Sequence, residues 1–353
     1  VVLDPDPDCP ARAIADGVEV GGYDDVAAAL RLAARSAVVT LELEHVSPEV
    51  VAALDALTAA GGPPLRPGAA AVRATQDRLA ERRFLASIGA PVAEWRAVRT
   101  REELGAAVAE LAGARPSAFR LKAALGGYDG RRQVRLGPVA GDGDLDGPAL
   151  DAAYAALERS AAAHGLLLER EVDFALELSV VLARGLDGGV RAYPPARNRH
   201  DDGILVESVA PAPVGEVVTA AALALAERIA VGLGSIGVTT AELFILRDGS
   251  LAVNELAPRV HNSGHWTQDG AATSQFEQHV RAICGLPLGA SDVLVPTAMA
   301  NLLGAGPRRP AGLAGVAEAL AEPRVHLHLY GKREVFERRK MGHVNATGAT
   351  ADK

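Results

Sequence analysis

The chain has 353 residues, 49% of them hydrophobic and 4% aromatic, and a formal net charge of −8. That length supports two or three domains with cores of their own, and the acidic balance excludes a general phosphate-tracking surface for nucleic acid, which needs a basic excess. Cys9 and Cys284 stand outside any CxxC or Cys/His spacing, so neither a disulfide framework nor a zinc site is indicated, and a reducing, cytoplasmic setting is expected.

Residues 1–74 alternate short apolar strands, at 1–3 and 38–41, with Ala-rich helical stretches at 24–34 and 48–60. This is the βα rhythm of a doubly wound parallel unit. Gly61-Gly62-Pro63-Pro64 and Pro67-Gly68 punctuate its end. From Thr75 a helix is predicted through Arg78 and Phe84 to about residue 88, where Gly89-Ala90-Pro91 breaks it. A strand at 118–122, a loop at 123–132 and a returning strand at 133–136 follow. Residues 137–148 read as a Gly/Asp/Pro loop, 151–164 as a helix, 166–169 and 173–182 as strands, and 220–233 as a helix. After Pro287 a smaller segment ends in a His/Lys/Arg-rich stretch, and no stretch is apolar for long enough to span a bilayer.

Lys122 ends a strand just before Gly126-Gly127-Tyr128-Asp129-Gly130-Arg131. Glycines let backbone N–H groups approach anionic oxygens closely, so this loop is a candidate phosphate cradle. The loop matches neither GxxxxGK[ST] nor GxGxxG, and a glycine-rich hairpin with a solvated lysine also explains it taken alone. The strand ending at Glu169 runs into Arg170-Glu171-Val172 and could offer backbone groups to an adenine edge, while Glu177 could accept from ribose hydroxyls. His200, in a turn, could meet a phosphate; a solvent-facing role is open for each of these residues.

Residues 239–246 and 250–255 read as strands joined at Asp248-Gly249, a two-residue hairpin signal. Pairing Arg247 with Ser250 sets Glu242 opposite Glu255, on a face shared with Phe244, Leu246, Leu251 and Val253. Like charges directly opposite each other are destabilising, so a cation is expected between them, and two hard oxygen ligands without a dedicated cage suit Mg²⁺. An exposed hairpin with both acids in water is the alternative for the hairpin alone. The segment that follows, Pro258-Arg259-Val260-His261-Asn262-Ser263-Gly264-His265-Trp266-Thr267, sets an arginine, two histidines and an amide beside Glu255 and favours the metal site.

This order of parts resembles the ATP-grasp ligases. Within them, Gly126-Gly127-Tyr128-Asp129-Gly130-Arg131, Asp202-Gly203-Ile204-Leu205, Asn254-Glu255-Leu256-Ala257-Pro258-Arg259, the His261–Thr267 wording and Gly342-His343 are similar to the 5-(carboxyamino)imidazole ribonucleotide synthase family of purine biosynthesis. The resemblance spans essentially the whole chain. It implies an α/β and α+β architecture: an incomplete, doubly wound pre-ATP-grasp domain at 1–74, an ATP-grasp domain with a glycine-rich lid at 75–288, and a small C-terminal domain at 289–353. It further implies a homodimer that binds ATP, Mg²⁺, bicarbonate and aminoimidazole ribonucleotide and joins CO₂ to the ribonucleotide amine through carboxyphosphate.

Carried over by residue, the resemblance implies that Arg78 and Lys122 hold ATP phosphates under a lid of Gly127, Tyr128, Asp129, Gly130, Arg131, Arg132 and Gln133. Glu169, Arg170, Glu171 and Val172 would form the adenine hinge, with Glu177 on ribose and His200 on the nucleotide. Glu242 and Glu255 would bind Mg²⁺ beside Asn254, and Arg259, His261 and Asn262 would form the bicarbonate pocket. Tyr128, Asp129, Arg131, Lys332 and Arg339 would bind aminoimidazole ribonucleotide. The rival readings are a formate-using glycinamide ribonucleotide transformylase, which lacks the Ser263-Gly264-His265-Trp266 wording, and a non-catalytic nucleotide-binding paralogue, against which Lys122, Glu242, Glu255 and Arg259 speak.

The sequence departs from the family pattern in four places. No GGGQLG-like turn stands before Val1-Val2-Leu3-Asp4, so about one βα unit is expected to be missing, with an exposed sheet edge, and a shortened tail is expected after Lys353. Arg132 stands where the family has glycine. Phe336-Glu337-Arg338 replaces Arg-Pro-Gly before Arg339-Lys340.

Overall fold

The computed structural model describes residues 1–112, 117–126, 132–139 and 147–351. At the N-terminus, strands Val2–Asp4 and Val18–Val20 pair in parallel, and helices Val26–Ala33, Pro48–Ala59 and Ala69–Gln76 close over Val39, Val51, Leu54 and Val72. The strand expected at 38–41 does not form. Val39 makes only a single parallel bridge to Leu65, after which the chain leaves the small core: Thr40 bonds His279 at 2.8 Å and Glu44 pairs with Arg259 at 2.8 Å.

The single helix expected from Thr75 is two helices, Ala69–Gln76 and Arg78–Ser87. Asp77 separates them in an extended conformation, and its carboxylate accepts from the N–H groups of Leu79 and Ala80 at 2.7 and 3.2 Å. An acidic side chain that satisfies orphan donors of a new first turn favours a fresh start over continuation.

A four-stranded antiparallel sheet runs in the order Trp95–Val98, Leu166–Arg170, Ser117–Ala123, Gln133–Val139. Helices Arg101–Ala112 and Gly147–His164 cover one face around Phe119, Leu121, Leu166 and Leu168. Because side chains alternate along a strand, Arg120 and Lys122 point to the other face. The helix after the 137–148 loop begins four residues earlier than expected, at Gly147 rather than Asp151.

Among the described residues the largest sheet has nine strands, in the order Leu251–Ala257, Gly237–Leu246, Phe174–Arg184, Ala196–Asp201, Ile204–Ala210, Thr297–Leu303, Lys340–Thr347, Val325–Leu329, with Val190–Ala192 beside Phe174–Arg184. Helix Glu216–Leu233 packs Leu225, Ile229 and Leu233 against Leu178, Val180, Leu243 and Ile245 on one face. The C-terminal strands Thr297–Leu303, Lys340–Thr347 and Val325–Leu329 extend this same sheet, while Arg309–Pro310 and Glu334–Val335 pair separately. Polar residues recur on one face of it from Glu242 near one edge to His328 at the other, with the apolar Leu205 and Met299 among them: Glu177 pairs with Asn198, His200 with Leu205, Asn301 with His343, and His343 with His328. Among the described residues no helix is long and apolar enough to cross a membrane.

Candidate functional site

The acid hairpin reaches the expected pairing by an unexpected route. Its loop has three residues, Arg247-Asp248-Gly249, closed by a 2.8 Å bond from the Leu246 N–H to the Ser250 carbonyl, and Gly249 takes a φ of 83° that suits glycine. This puts Ile245 opposite Leu251 and Leu243 opposite Val253, one residue away from the expected register. A bulge at Asn254 then supplies the extra residue, so Glu242 and Glu255 do face each other. The same shift corrects the apolar assignment: Leu251 and Val253 pack into the helix-covered core with Leu243 and Ile245, not beside the acids.

The adjacent helix holds the bulge in place. Arg82 donates to the Asn254 carbonyl at 2.7 Å, and Glu81 accepts from the Leu256 N–H at 2.9 Å. Both side chains are buried. Arg82 also bonds Glu81 at 2.7 Å and Glu169 at 2.6 Å, and Lys122 meets the other oxygen of Glu169 at 2.7 Å. Burial alone would raise the Glu169 carboxyl, but the two cations outweigh it and hold it down at about 2. This side chain is therefore committed to the protein, and any adenine contact here falls to the backbone.

Burial pushes the Glu242 carboxyl up to about 7; His200 opposes the shift, while Glu255 and Glu177 add to it. Glu255 is half exposed at the sheet edge, with Arg78 4.0 Å away. Asn254 turns its amide towards Glu242 at 3.4 Å. Among the described residues no three His, Cys, Asp or Glu side chains converge to hold a metal by themselves. Two carboxylates and an amide fit an ion such as Mg²⁺, which completes its shell with water and phosphate.

His261 closes the pocket over these acids. The Ser263 N–H and hydroxyl both meet its Nδ1, at 3.3 and 2.8 Å. A backbone N–H can only donate, so Nδ1 is the acceptor and the proton sits on Nε2, 3.4 Å from Glu242. Burial, with Arg259 and Lys340 nearby, holds this ring well below its usual value, so it is a neutral donor. On the other side of Glu242, His200 donates or accepts at 2.7 Å with Glu177. Burial would lower His200, but the Glu177 bond and the charges of Glu242 and Glu177 keep it above its usual value.

The structure therefore gathers Arg78, Lys122, Glu177, His200, Glu242, Asn254, Glu255, Arg259 and His261. Asn262 bonds Asn301 at 3.0 Å just beyond His261. Glu171 lies on the same sheet face as Glu169 and Lys122 and is paired with Arg120 and Arg135 at 2.7 Å each, and Arg170 pairs with Glu94 at 2.8 Å. Val172 follows them, and Gln133 lies opposite Lys122 on the neighbouring strand. Lys332 donates to the Lys340 carbonyl and Arg339 to the Glu334 carbonyl, both at 2.7 Å, within the C-terminal hairpin. Gly127, Tyr128, Asp129, Gly130 and Arg131 lie outside the described residues. Arg132 and Arg338 have left-handed backbone, with φ of 53° and 63°.

Sequence reasoning missed three charged residues of this pocket. Glu44 pairs with Arg259, and Glu42 lies close enough to Arg259 and Lys332 for their charges to oppose the upward push of its burial. The charge of Lys340 acts on Glu242, His200, His261 and His265. The alternating Leu41-Glu42-Leu43-Glu44 after an apolar run was the available signal, since two acids on one side of an extended segment need a reason.

Three family models match the chain. They are the ribonucleotide synthetase preATP-grasp domain at residues 1–76, the ATP-grasp domain at 83–276 and the phosphoribosylaminoimidazole carboxylase C-terminal domain at 297–353. The N5-carboxyaminoimidazole ribonucleotide synthase of Brucella melitensis is 42% identical over 346 residues, covering 98% of this chain and 88% of its own. The structure of N5-carboxyaminoimidazole ribonucleotide synthetase from Thermotoga maritima is similar with a TM-score of 0.84 at 33% identity, over 100% of this chain and 88% of that one. The Aspergillus clavatus synthase, solved with ADP and 5-aminoimidazole ribonucleotide, matches with a TM-score of 0.84 at 29% identity and the same coverage of 100% and 88%.

Proposed function

The chain belongs to the N5-carboxyaminoimidazole ribonucleotide synthase family of ATP-grasp ligases, and from that premise we propose how its own residues carry out the family reaction. The reaction is the ATP-dependent carboxylation of 5-aminoimidazole ribonucleotide with bicarbonate, in purine biosynthesis. Bicarbonate is a poor electrophile, so ATP first phosphorylates it to carboxyphosphate. That intermediate splits into phosphate and CO₂, which the exocyclic amine of the ribonucleotide captures.

The observation that carries the assignment of residues is the Nε2–H of His261 aimed at Glu242 3.4 Å away, with Arg259 near enough for its charge to act on that ring and Arg78 4.0 Å from Glu255 across the acid pair. Arg78 and Lys122 would neutralise phosphate oxygens, and Arg259, His261 and Asn262 would donate to bicarbonate and to the phosphoryl group moving onto it. Pre-aimed donors in a water-poor site stabilise charge as it develops. Glu242, Glu255 and Asn254 would hold Mg²⁺, which when bound supplies charge neutralisation between the phosphates. Lys332 and Arg339 would take the ribonucleotide phosphate, and Tyr128, Asp129 and Arg131 would close the lid over it, keeping water from the intermediate. We place the enzyme in the cytoplasm as a homodimer, which light scattering of the purified chain would check.

An ADP-release assay tests the reading. Release should require bicarbonate and aminoimidazole ribonucleotide, and formate should not replace bicarbonate. Turnover with formate and glycinamide ribonucleotide would assign the pocket to the transformylase reaction instead.

A further inference from the structure

The strand Ile204–Ala210 carries an irregularity: Leu205 pairs with His200 and Glu207 with Arg199, so Val206 is left over. Pairing with Thr297–Leu303 starts only at Glu207, opposite Ala300. The Leu205 carbonyl therefore lies beyond the ladder, and a side chain takes it: Asn301 Nδ2 donates to it at 2.7 Å. A carbonyl can only accept, so this contact fixes which end of the Asn301 amide is nitrogen. The rest of the amide is then determined. Asn301 Nδ2 gives its second hydrogen to Asn262 Oδ1 at 2.6 Å, and Asn301 Oδ1 accepts from Asn262 Nδ2 at 3.0 Å.

We propose that Asn301 is a positioning residue that sets the direction of the Asn262 amide and thereby presents an N–H of Asn262 to bicarbonate. The inference rests on the reading of Asn262 as part of the bicarbonate pocket. Reversing Asn262 alone would set oxygen against oxygen and nitrogen against nitrogen across the pair. Reversing both would set Asn301 Oδ1 against the Leu205 carbonyl. With the pair locked, one N–H of Asn262 is spent on Asn301 and the other projects away from it. His261, the preceding residue, likewise offers Nε2–H to the same pocket. The strand irregularity at Val206 thus reaches the anion through a backbone carbonyl and two amides.

The replacement Asn301→Asp keeps shape and removes both donors. Its carboxylate would face the Leu205 carbonyl and draw the Asn262 nitrogen towards itself, turning the Asn262 oxygen outward to repel an anion. Initial rates of ADP release, with ATP and ribonucleotide saturating, would be measured for N301D, N301A, N262A and the double variant N262A/N301A. The expected result is a fall of about tenfold or more in kcat/KM for bicarbonate in each single variant, the size of one lost polar contact to a charge. The KM for ATP should stay within about twofold, since coupling is confined to groups in contact. The double variant should be no worse than N262A, because Asn301 acts through Asn262. Wild-type bicarbonate kinetics in N301D, or a double variant whose loss is the product of the single losses, would overturn the proposal. Loss in N301D with none in N262A would instead show that Asn262 lies outside the bicarbonate pocket. Should N301A not fold, the isosteric N301D alone decides.

Discussion

Arg82 donates a 2.7 Å hydrogen bond to the carbonyl of Asn254, the one residue that bulges from the edge strand between the facing acids Glu242 and Glu255. The guanidinium also holds Glu81 and Glu169, so it ties strand Leu166–Arg170 to strand Leu251–Ala257 through one planar group. An ammonium cannot reproduce that three-way fork. Arg82→Lys is therefore expected to fold with a loss of roughly 1–3 kcal/mol in urea denaturation, from one buried acceptor left unmet. It should also lower kcat more than a surface Arg→Lys control. Arg82→Met, which leaves the buried Glu81 without its bonded cation and Glu169 with Lys122 alone, should cost about 3–5 kcal/mol. An Arg82→Lys enzyme with unchanged stability and turnover would separate this helix from the site.

Glu242 gives a pH signature whose sign follows from its environment. Burial first, then Glu255 and Glu177 against the opposition of His200, raise its carboxyl from 4.5 to about 7. Between those values the folded state holds more protons than the unfolded state, so stability is greatest below the unfolded value and is lost as pH rises through the folded one. A shift of this size corresponds to roughly 3 kcal/mol. Glu242→Gln should flatten the stability profile between about pH 5 and 7 by that order. Mg²⁺ with nucleotide should release a proton at about pH 6.5, by the same linkage. Calorimetry in buffers of different ionisation enthalpy reads that proton, and its absence would dissociate the carboxyl from cation binding.

The hairpin illustrates how far the sequence alone could be read. Glu242 opposite Glu255 was legible, yet the turn length and the pairing near it were not, because a three-residue loop and a one-residue bulge cancel by the time the strands reach the acids. Hydrophobicity could not place the bulge. Asn254 is polar, like its neighbour Glu255, and what fixes it is Arg82 from a helix about 170 residues away in sequence. The division of one helix at Asp77 was written locally as a cap and overlooked under an unbroken apolar period. Glu42 and Glu44 were hidden for another reason: they act on Arg259 from a separate domain, a long-range charge relationship with no local period. Lys122, His200, Arg259 and His261 drew notice because each stands near a glycine, a turn or another polar group that core packing does not require, whereas Glu177, between Leu176 and Leu178, took its assignment from the family resemblance.

His261 is expected to serve bicarbonate rather than ATP. It is partly buried, neutral and aims Nε2–H towards Glu242, so it cannot serve as a cationic anchor for nucleotide phosphates at neutral pH. His261→Ala should leave nucleotide affinity within about threefold, well under one hydrogen bond's worth, while carboxylated product falls below detection. Product is followed by incorporation of labelled bicarbonate. Loss of ATP binding with bicarbonate dependence intact would move the pocket elsewhere.

Arg338 has a left-handed backbone with φ of 63°, where a side chain costs about 1–2 kcal/mol that glycine does not. Its contacts to Asp201 are exposed, and such pairs contribute at most about 1 kcal/mol. Arg338→Gly is therefore expected to raise the urea midpoint, by up to about 1 kcal/mol in unfolding free energy, with ATP kinetics unchanged. A lower midpoint would mean that the Asp201 contact outweighs the backbone term.

Lys332 is expected to clamp the 5′-phosphate of the ribonucleotide. In the structure its ammonium donates to the Lys340 carbonyl at 2.7 Å and lies 5.6 Å from the centre of the Tyr330 ring, whose hydroxyl meets His343 at 2.9 Å. The ring, the carbonyl and the nearby charge of Glu42 keep the ammonium on the hairpin, at hand for a dianion. One charge-assisted contact is worth about 1.5–3 kcal/mol. Lys332→Ala should therefore raise the KM for aminoimidazole ribonucleotide roughly ten- to a hundredfold, leaving the KM for ATP nearly alone. Arg339→Ala should act in the same direction, since its guanidinium belongs to the same hairpin. Steady-state titration of each substrate at saturating levels of the others separates the two constants. If both moved together, or neither moved, the C-terminal hairpin would not be part of the substrate site.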